Sequence, residues 1–132
     1  PGAARAPGAW AGGGGVAGGG AGCRLIRTRH LQGRPILSEA IWLPAARFAP
    51  ILTAPLTEIG DLLYPAYERL CGEIVARAEE TLTVGIADAT DAERLEIADG
   101  DPVVVIERLA FGFDARPIEW PVTRGAAKHF DR

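Results

Sequence analysis

Apolar and polar residues alternate in two segments of this chain that share one order of residue types. Each segment has an apolar run containing an arginine, then a polar turn, then Arg-Pro-Ile and a carboxylate. The first lies at residues 25–39 and the second, about 80 residues later, at residues 106–119. Alternation with period two on both sides of a short polar turn indicates a β-hairpin. The sequence therefore predicts two similar hairpins in one antiparallel sheet, which would bring arginines and carboxylates together from distant parts of the chain.

Short helices are predicted between the strands. Strands are expected at residues 24–31, 36–43, 74–86, 103–111 and 118–123, a helical turn at residues 45–52, and helices at residues 61–71 and 90–96. Asp61 can cap the longer helix and Gly72 can end it, while Thr90 and Glu93 match a capping box. The nearly continuous apolar run at residues 103–111 indicates a central strand. The order β-β-α-β-α-β-β is that of an α+β fold with an antiparallel sheet.

The first 22 residues differ in composition from the rest of the chain. Seventeen of them are Gly or Ala, which have little to bury, and glycine loses the most entropy on ordering. We expect residues 1–22 to be a disordered or non-native leader, because they lack the basic start and aliphatic run of a signal peptide. Residues 23–132 have the composition of one globular domain, and the chain has no methionine, as in a fragment of a longer reading frame.

The charge balance and the cysteine content exclude several classes of protein. Residues 23–132 hold 13 basic and 17 acidic side chains, without the clustered Lys and Arg of a nucleic-acid interface. No apolar run approaches the length of a membrane span. The two cysteines, Cys23 and Cys71, match no metal spacing and no disulfide framework. We therefore expect a cytoplasmic protein with free thiols.

Two arginines of the first predicted strand, Arg27 and Arg29, are the first candidates for ligand binding. Their i, i+2 spacing directs two guanidinium groups to one side of the strand, which suits a carboxylate or a phosphate. If the hairpin loop comprises residues 32–34, Arg27 lies opposite Glu39. Pairing with Glu39, or a solvated strand face, is therefore the competing interpretation, and a slip of one residue would reverse the faces.

Charged residues also interrupt apolar strand faces. Glu39 lies between Leu37 and Ile41, where an unpaired carboxylate would cost several kcal/mol, so it needs an arginine, a backbone donor or a ligand. Glu119 holds the matching place in the second hairpin, with the same alternatives. Arg108 interrupts the apolar run of the second hairpin and is predicted mainly to pair within the sheet.

Neither a catalytic set nor a metal site is evident in the sequence. His30 and His129 are 99 residues apart with no third ligand in view, and the single serine, Ser38, lacks the glycines of a nucleophile elbow. The glycine tract at residues 12–15 is not followed by the Lys-Ser/Thr of a phosphate loop. We predict no catalytic residues, no metal and no cofactor.

A longer set of residues recurs in the order known from one protein family. They are Arg27-Thr28-Arg29, Gly33-Arg34-Pro35-Ile36, Glu39, Leu43-Pro44, Leu63-Tyr64, Leu70-Cys71-Gly72, Arg77-Ala78-Glu79, Asp101-Pro102-Val103, Glu107-Arg108, Arg116-Pro117-Ile118-Glu119-Trp120 and Arg124-Gly125. With this order and spacing, about 105 residues from Arg24 to Phe130 resemble the UTRA effector-binding domain of HutC-type regulators in the GntR superfamily.

The resemblance implies a chorismate-lyase-like α+β fold, a pocket for a small effector and a homodimer. It also implies an N-terminal winged helix-turn-helix, absent from this chain, through which operator DNA would be bound. In such regulators the effector is often a phosphosugar, an amino-acid derivative or another small anion. By the matching positions, Arg27, Arg29, Glu39 and Glu119 would face it.

The chain departs from the family at three places. The glycine tract stands where the first sheet strand is expected, so residues 23–132 are expected to be an N-terminally incomplete domain. Leu62 stands where the family often has Ser or Thr, which removes a hydroxyl that can bind phosphate. The Asp expected shortly before Lys128, His129 and Phe130 is missing.

The sequence thus predicts the ligand-sensing and dimerisation domain of a bacterial transcriptional regulator, binding a small, anionic effector, with no membrane association and no enzyme activity. One alternative is a chorismate-lyase-like enzyme, in which arginines hold the carboxylates and a glutamate acts as acid. The other is a nonfunctional remnant of a frameshifted regulator gene, which fits the missing strand and the missing Asp.

Overall fold

The computed structural model describes residues 22–130. The strands are β1 (Gly22–Leu31), β2 (Arg34–Pro44), β3 (Arg77–Ile86), β4 (Pro102–Phe111) and β5 (Pro117–Ala126). The helices are α1 (Ala49–Thr53), α2 (Leu56–Ile59), α3 (Leu63–Ala66) and α4 (Ala89–Leu95), with a π-helical turn at Tyr67–Cys71 and a 3₁₀ turn at Ala127–Phe130. The expected leader lies outside the described residues except for Gly22, which begins β1.

The five strands form one antiparallel sheet in the order β1-β2-β5-β4-β3. The two predicted hairpins, β1–β2 and β4–β5, are therefore adjacent and meet through their second strands. This arrangement confirms the predicted α+β class with an antiparallel sheet. β4 lies between β5 and β3, so it is an interior strand of the sheet, as predicted, while β5 holds the middle position. The apolar run of β4 reflects its interior position beside β5, where Val103 and Val104 are buried.

Positive backbone angles define the turn of the first hairpin. Gln32 and Gly33 have φ angles of 53° and 78°, as in the two-residue turns whose twist matches that of paired strands. Glycine adopts such angles without a steric penalty. The predicted loop at residues 32–34 is one residue too long, because Arg34 already belongs to β2.

The helix predicted at residues 61–71 is shorter and less regular than expected. The N-cap of α3 is Leu62, and no side chain caps it, so the predicted cap by Asp61 is wrong. The next turn, Tyr67–Cys71, is π-helical. Gly72 ends it in the left-handed conformation with φ of 68°, as predicted.

Close contacts divide the described residues into two compact units. The first comprises residues 22–24, Trp42–Glu79 and Leu109–Trp120, and the second comprises Leu25–Ile41, Glu80–Arg108 and residues 121–130. In the first unit, the buried ring of Phe48 packs edge-on against the buried ring of Tyr67, with centroids 4.9 Å apart. The core of the second unit consists of buried apolar side chains, namely Ile41, Ala87, Leu95, Val103, Val104 and Ala126.

A buried carboxylate, Asp91, anchors α4 in the second unit. The Asp88 carboxylate accepts a hydrogen bond from the backbone N–H of Asp91 at 2.8 Å, and the Asp91 carboxylate accepts one from the N–H of Asp88 at 3.1 Å. Arg124 of β5 donates to the Asp91 carboxylate from Nε at 2.9 Å and from Nη2 at 2.8 Å. The helix is confirmed, but its capping box is not formed by Thr90 and Glu93. It lies two residues earlier, because this register places the Asp91 carboxylate against Arg124.

The pKa of Asp91 reflects this environment. Burial by itself would raise the pKa, but the hydrogen bonds from Arg124 and from the backbone of Asp88 outweigh burial and hold the pKa below its usual value. A carboxylate with a lowered folded-state pKa stabilises the fold above its unfolded pKa of about 3.9. That stabilisation is lost as the pH falls through the lower folded-state value.

We predict that Asp91→Asn lowers the free energy of unfolding at pH 7 by about 3 kcal/mol, because Arg124 loses its buried partner. The difference between variant and wild type should shrink as the pH falls below about 4, because the Asp91 carboxyl of the unfolded chain binds a proton there before that of the folded chain does. Urea unfolding at both pH values measures this. Asp99→Asn, at an exposed turn position, is the control and should change little. An Asp91→Asn variant as stable as the wild type at pH 7 would show that the Asp91–Arg124 pair does not stabilise the fold.

Candidate functional site

A groove of about 190 Å³ lies on one face of the sheet in the second unit. Four strands contribute its lining residues, which are Leu37 and Glu39 of β2, Glu80 of β3, Ile106 and Arg108 of β4, and Pro121 and Thr123 of β5. This volume is below the range of about 300–1,000 Å³ that is usual for drug-sized ligands, so the groove suits a smaller molecule. An apolar concave surface with a few convergent polar groups is the usual form of a small-molecule site.

Glu39 is held in this groove by its neighbour on β1. The Nε of Arg27 donates a hydrogen bond to Oε1 of Glu39 at 2.5 Å, which confirms the predicted pairing of these two residues. The Thr123 hydroxyl donates to Oε2 at 3.5 Å, the outer limit of a hydrogen bond. The Glu39 side chain is only 13% exposed, so the arginine compensates a carboxylate that has lost most of its water.

A second ion pair borders the groove on β3 and β4. Nη1 of Arg108 lies 3.6 Å from a carboxylate oxygen of Glu80, and the two side chains are 36% and 55% exposed. This confirms the predicted pairing of Arg108 within the sheet. An ion pair so long and so exposed contributes little to stability. Neither residue was predicted to belong to the effector site, although both line the groove.

Glu119 has different partners from Glu39. It belongs to the first unit and is 1% exposed. The hydroxyls of Tyr64 and Tyr67 donate hydrogen bonds to its two carboxylate oxygens, at 3.0 Å and 2.5 Å. Glu119 therefore has structural partners, which was the alternative to ligand binding in the sequence analysis. The i, i+3 spacing of the two tyrosines, which points both hydroxyls the same way, was the signal that could have revealed it.

The four predicted effector-facing residues are thus only partly brought together. Glu39 lines the groove and Arg27 contacts it through Glu39. Arg29 is exposed on β1 and is not among the lining residues, and neither is Glu119. The effector-binding role of each of the four remains a prediction.

The first unit holds its own polar cluster around Arg47. This guanidinium donates to both carboxylate oxygens of Glu73, at 2.9 Å and 2.8 Å, and lies 3.3 Å from Asp114. The hydrogen bonds to Glu73 are the main reason that the pKa of Arg47 is raised. The cluster links the segment before α1 to Glu73, which follows the π-helical turn, and to Asp114, in the loop between β4 and β5. This is a structural role.

Titratable groups suited to catalysis or metal binding are sparse. Burial raises the pKa values of Cys23 and Cys71, which keeps both in the unreactive thiol form. Within residues 22–130, no three His, Cys, Asp or Glu side chains are grouped so that they could hold a metal ion.

Comparison with known families identifies the chain. The UTRA domain family matches residues 3–131. Because the match extends over nearly the whole sequence, the chain belongs to the UTRA domain family, as the order of its motifs predicted.

Three solved structures share the fold. The transcriptional regulator (GntR family) from Enterococcus faecalis V583 has a TM-score of 0.69 and 24% identity, covering 83% of this chain and 76% of that one. The C-terminal domain of the histidine utilization repressor from Pseudomonas syringae pv. tomato str. DC3000 has a TM-score of 0.71 and 15% identity, covering 81% of this chain and 72% of that one. PhnF from Mycobacterium smegmatis has a TM-score of 0.72 and 23% identity. The match covers 81% of this chain and 46% of PhnF, so this chain spans about half the length of that structure.

The family and the fold together support a regulatory ligand-binding domain. The fold is related to that of chorismate lyase. No helix in the described part of the chain is long and apolar enough to cross a membrane.

Proposed function

We propose that this chain is the effector-sensing and dimerisation domain of a cytoplasmic GntR/HutC-type transcriptional regulator. Its effector is a small molecule with an anionic group, bound in the groove that Glu39 lines. The observation that carries this proposal is the groove itself, where an apolar floor and charged side chains from distant segments converge on one sheet face of a UTRA domain. A mostly apolar surface with a few convergent polar groups is the usual lining of a small-molecule site.

Arg27 acts in this proposal by fixing Glu39. The guanidinium holds Oε1 of Glu39 at 2.5 Å and so orients Oε2. The other oxygen, Oε2, can then accept a hydrogen bond from a ligand hydroxyl or ammonium group. Arg29 lies two residues further along β1 and adds positive potential that attracts an anion. Glu119 stays a predicted effector residue on the resemblance alone, and the groove does not depend on it.

DNA binding belongs, in this proposal, to a winged helix-turn-helix carried elsewhere in the regulator. An effector can change operator affinity only if it binds two states of the regulator with different affinity. The groove lies on strands from both hairpins, so a ligand that contacts β2 and β4 together favours one arrangement of those strands. A coupling of this kind is typically about 1–3 kcal/mol.

We further propose a homodimer that uses strand β3. This edge strand carries three apolar side chains at alternate positions, Leu82, Val84 and Ile86, which are 63%, 72% and 70% exposed. Alternate residues of a strand lie on the same face, so the three form one continuous stripe. An open strand edge with an exposed apolar stripe is typical of a surface that pairs with another chain.

The first prediction concerns Arg27. A panel of small carboxylates, phosphates and amino acids is screened for compounds that raise the melting temperature of the chain. Arg27→Ala should reduce the affinity for the strongest compound by at least about tenfold, or about 1.4 kcal/mol, because Glu39 loses its orienting partner. Calorimetry measures the affinity, and circular dichroism checks that the variant is folded. Arg34→Ala, an exposed arginine near the hairpin turn, is the control. Equal affinity of the wild type and the Arg27→Ala variant for the compound would contradict the proposed role of Arg27 in ligand binding.

The second prediction concerns the dimer. Val84→Lys places a charge in the middle of the stripe and should convert the chain from dimer to monomer in size-exclusion chromatography with light scattering. Thr83→Lys puts the same charge on the opposite face of β3, where the residue is also exposed, and should leave the dimer intact. A monomeric wild type, or a Val84→Lys variant that remains dimeric, would show that β3 is not the interface.

A further inference from the structure

The charges that line the groove do not match a purely anionic ligand. Two carboxylates, Glu39 and Glu80, line it, but only one guanidinium, that of Arg108. Arg27 is absent from the lining and is joined to the groove through its hydrogen bond to Glu39. We propose that Arg108 binds the anionic group of the effector and Glu39 its cationic or donor group, so that the effector is a zwitterion. The inference rests on the proposed function, because it assumes that the groove is the effector site.

The oxygen atoms of Glu39 show how this carboxylate can accept a ligand. Oε1 is committed to Arg27 at 2.5 Å, whereas the hydrogen bond of Oε2 to Thr123 is long, at 3.5 Å. A carboxylate offers about four lone-pair sites, so Oε2 retains capacity for a strong hydrogen bond. A ligand ammonium is the donor that gains most there, because charge-assisted hydrogen bonds are about twice as strong as neutral ones.

Arg108 is suited to hold the opposite end of the ligand. Its contact with Glu80 is loose, at 3.6 Å, and both side chains are partly exposed. Little stability depends on such a pair, so its geometry can adapt to a ligand. The planar guanidinium group can bind a carboxylate through two parallel hydrogen bonds. Glu80 then acts as a positioning residue that keeps Arg108 at the groove.

The sheet order sets the distance between the two ends. Glu39 is on β2 and Arg108 is on β4, with β5 between them. Neighbouring strands are about 4.8 Å apart, so the two strands are separated by about 10 Å. Between them the groove is lined by Leu37, Ile106 and Pro121, with the Thr123 hydroxyl beside Glu39. A ligand that reaches both charged groups therefore needs an apolar spacer of several methylene groups.

The balance of charges in the two ion pairs at the groove favours a ligand with no net charge. Glu39 and Glu80 offset the guanidinium groups of Arg27 and Arg108, so the ion pairs around the groove sum to zero. A dianion would leave two carboxylates facing like charge, and a simple cation would leave Arg108 without a new partner. A molecule with a carboxylate at one end and an ammonium group at the other matches both ends. The chemical class assigned to the site is an amino acid with separated charges.

Calorimetry with three six-carbon probes tests the inference on the whole chain. The probes are 6-aminohexanoate, hexanoate and hexylammonium, which carry both charges, the anion only and the cation only. We expect 6-aminohexanoate to bind at least about tenfold more tightly than either of the others. Arg108→Gln should weaken binding of 6-aminohexanoate and hexanoate alike by about tenfold. Glu39→Gln should weaken only 6-aminohexanoate, to the level of hexanoate. Arg34→Gln, outside the groove, is the control variant and should change neither.

Other outcomes separate the inference from the proposed function. Equal binding of 6-aminohexanoate and hexanoate would overturn the zwitterion assignment and leave an anion site. If hexanoate affinity depended on Arg27 and not on Arg108, the anion anchor proposed here would be wrong while the groove remained the site. If none of the three probes bound, the inference would be overturned, and the independent ligand screen with Arg27→Ala would still decide the proposed function.

Discussion

The pairing of β2 with β5 is the constraint on which the rest of the structure depends. Each of these strands is the second strand of a local hairpin, and a hairpin by itself is at best marginally stable in water. When β2 and β5 pair, two hairpins about 80 residues apart in the chain become four adjacent strands, and β3 completes the five-stranded sheet beside β4. Because side chains alternate between the faces of a strand, the same pairing places β2, β4 and β5 residues together on the face that forms the groove.

The Arg27–Glu39 pair shows how stability and ligand binding meet at this sheet. A carboxylate as buried as that of Glu39 is tolerated only with a charged partner, which Arg27 supplies from the neighbouring strand. The pair occupies one oxygen of Glu39 strongly and the other only weakly. Glu119 contrasts with it, because two tyrosine hydroxyls bind its two oxygens and the side chain is almost completely buried. One carboxylate is thus available at a groove, and the other is part of a core.

The sequence predicted the parts of the structure that depend on local pattern. The hairpins, the fold class and the helix stop at Gly72 follow from strand alternation, turn residues and glycine conformation. The predicted Arg27–Glu39 pair is present, although the hairpin loop is one residue shorter than the register assumed for that pair. The family followed from the order of motifs. Features decided by contacts between distant residues were missed. The capping box moved to Asp88 because Asp91 meets Arg124, which lies 33 residues away in the chain.

The residues that line the groove could not be predicted from the sequence either, because they too are brought together by contacts between distant parts of the chain. Glu80 and Arg108 belong to β3 and β4, and no local pattern shows that both face the same groove as Glu39. Their alignment depends on strand order, which was predicted only as far as the two hairpins. Glu119 was paired with Glu39 by its place after Arg-Pro-Ile, but that likeness of sequence says nothing of the tyrosines that approach it from the π-helical turn and the helix before it.

Methyl NMR spectroscopy of the chain with labelled Leu and Ile side chains tests most directly the claim that the groove is the ligand site. On titration with hexanoate as a probe, the account predicts that the methyl signals of Leu37 and Ile106, which line the groove, shift in a saturable way. The signals of Leu63 and Ile51, which are buried in the first unit, should stay in place. Saturable shifts confined to Leu63 and Ile51, with Leu37 and Ile106 unchanged, would contradict the account.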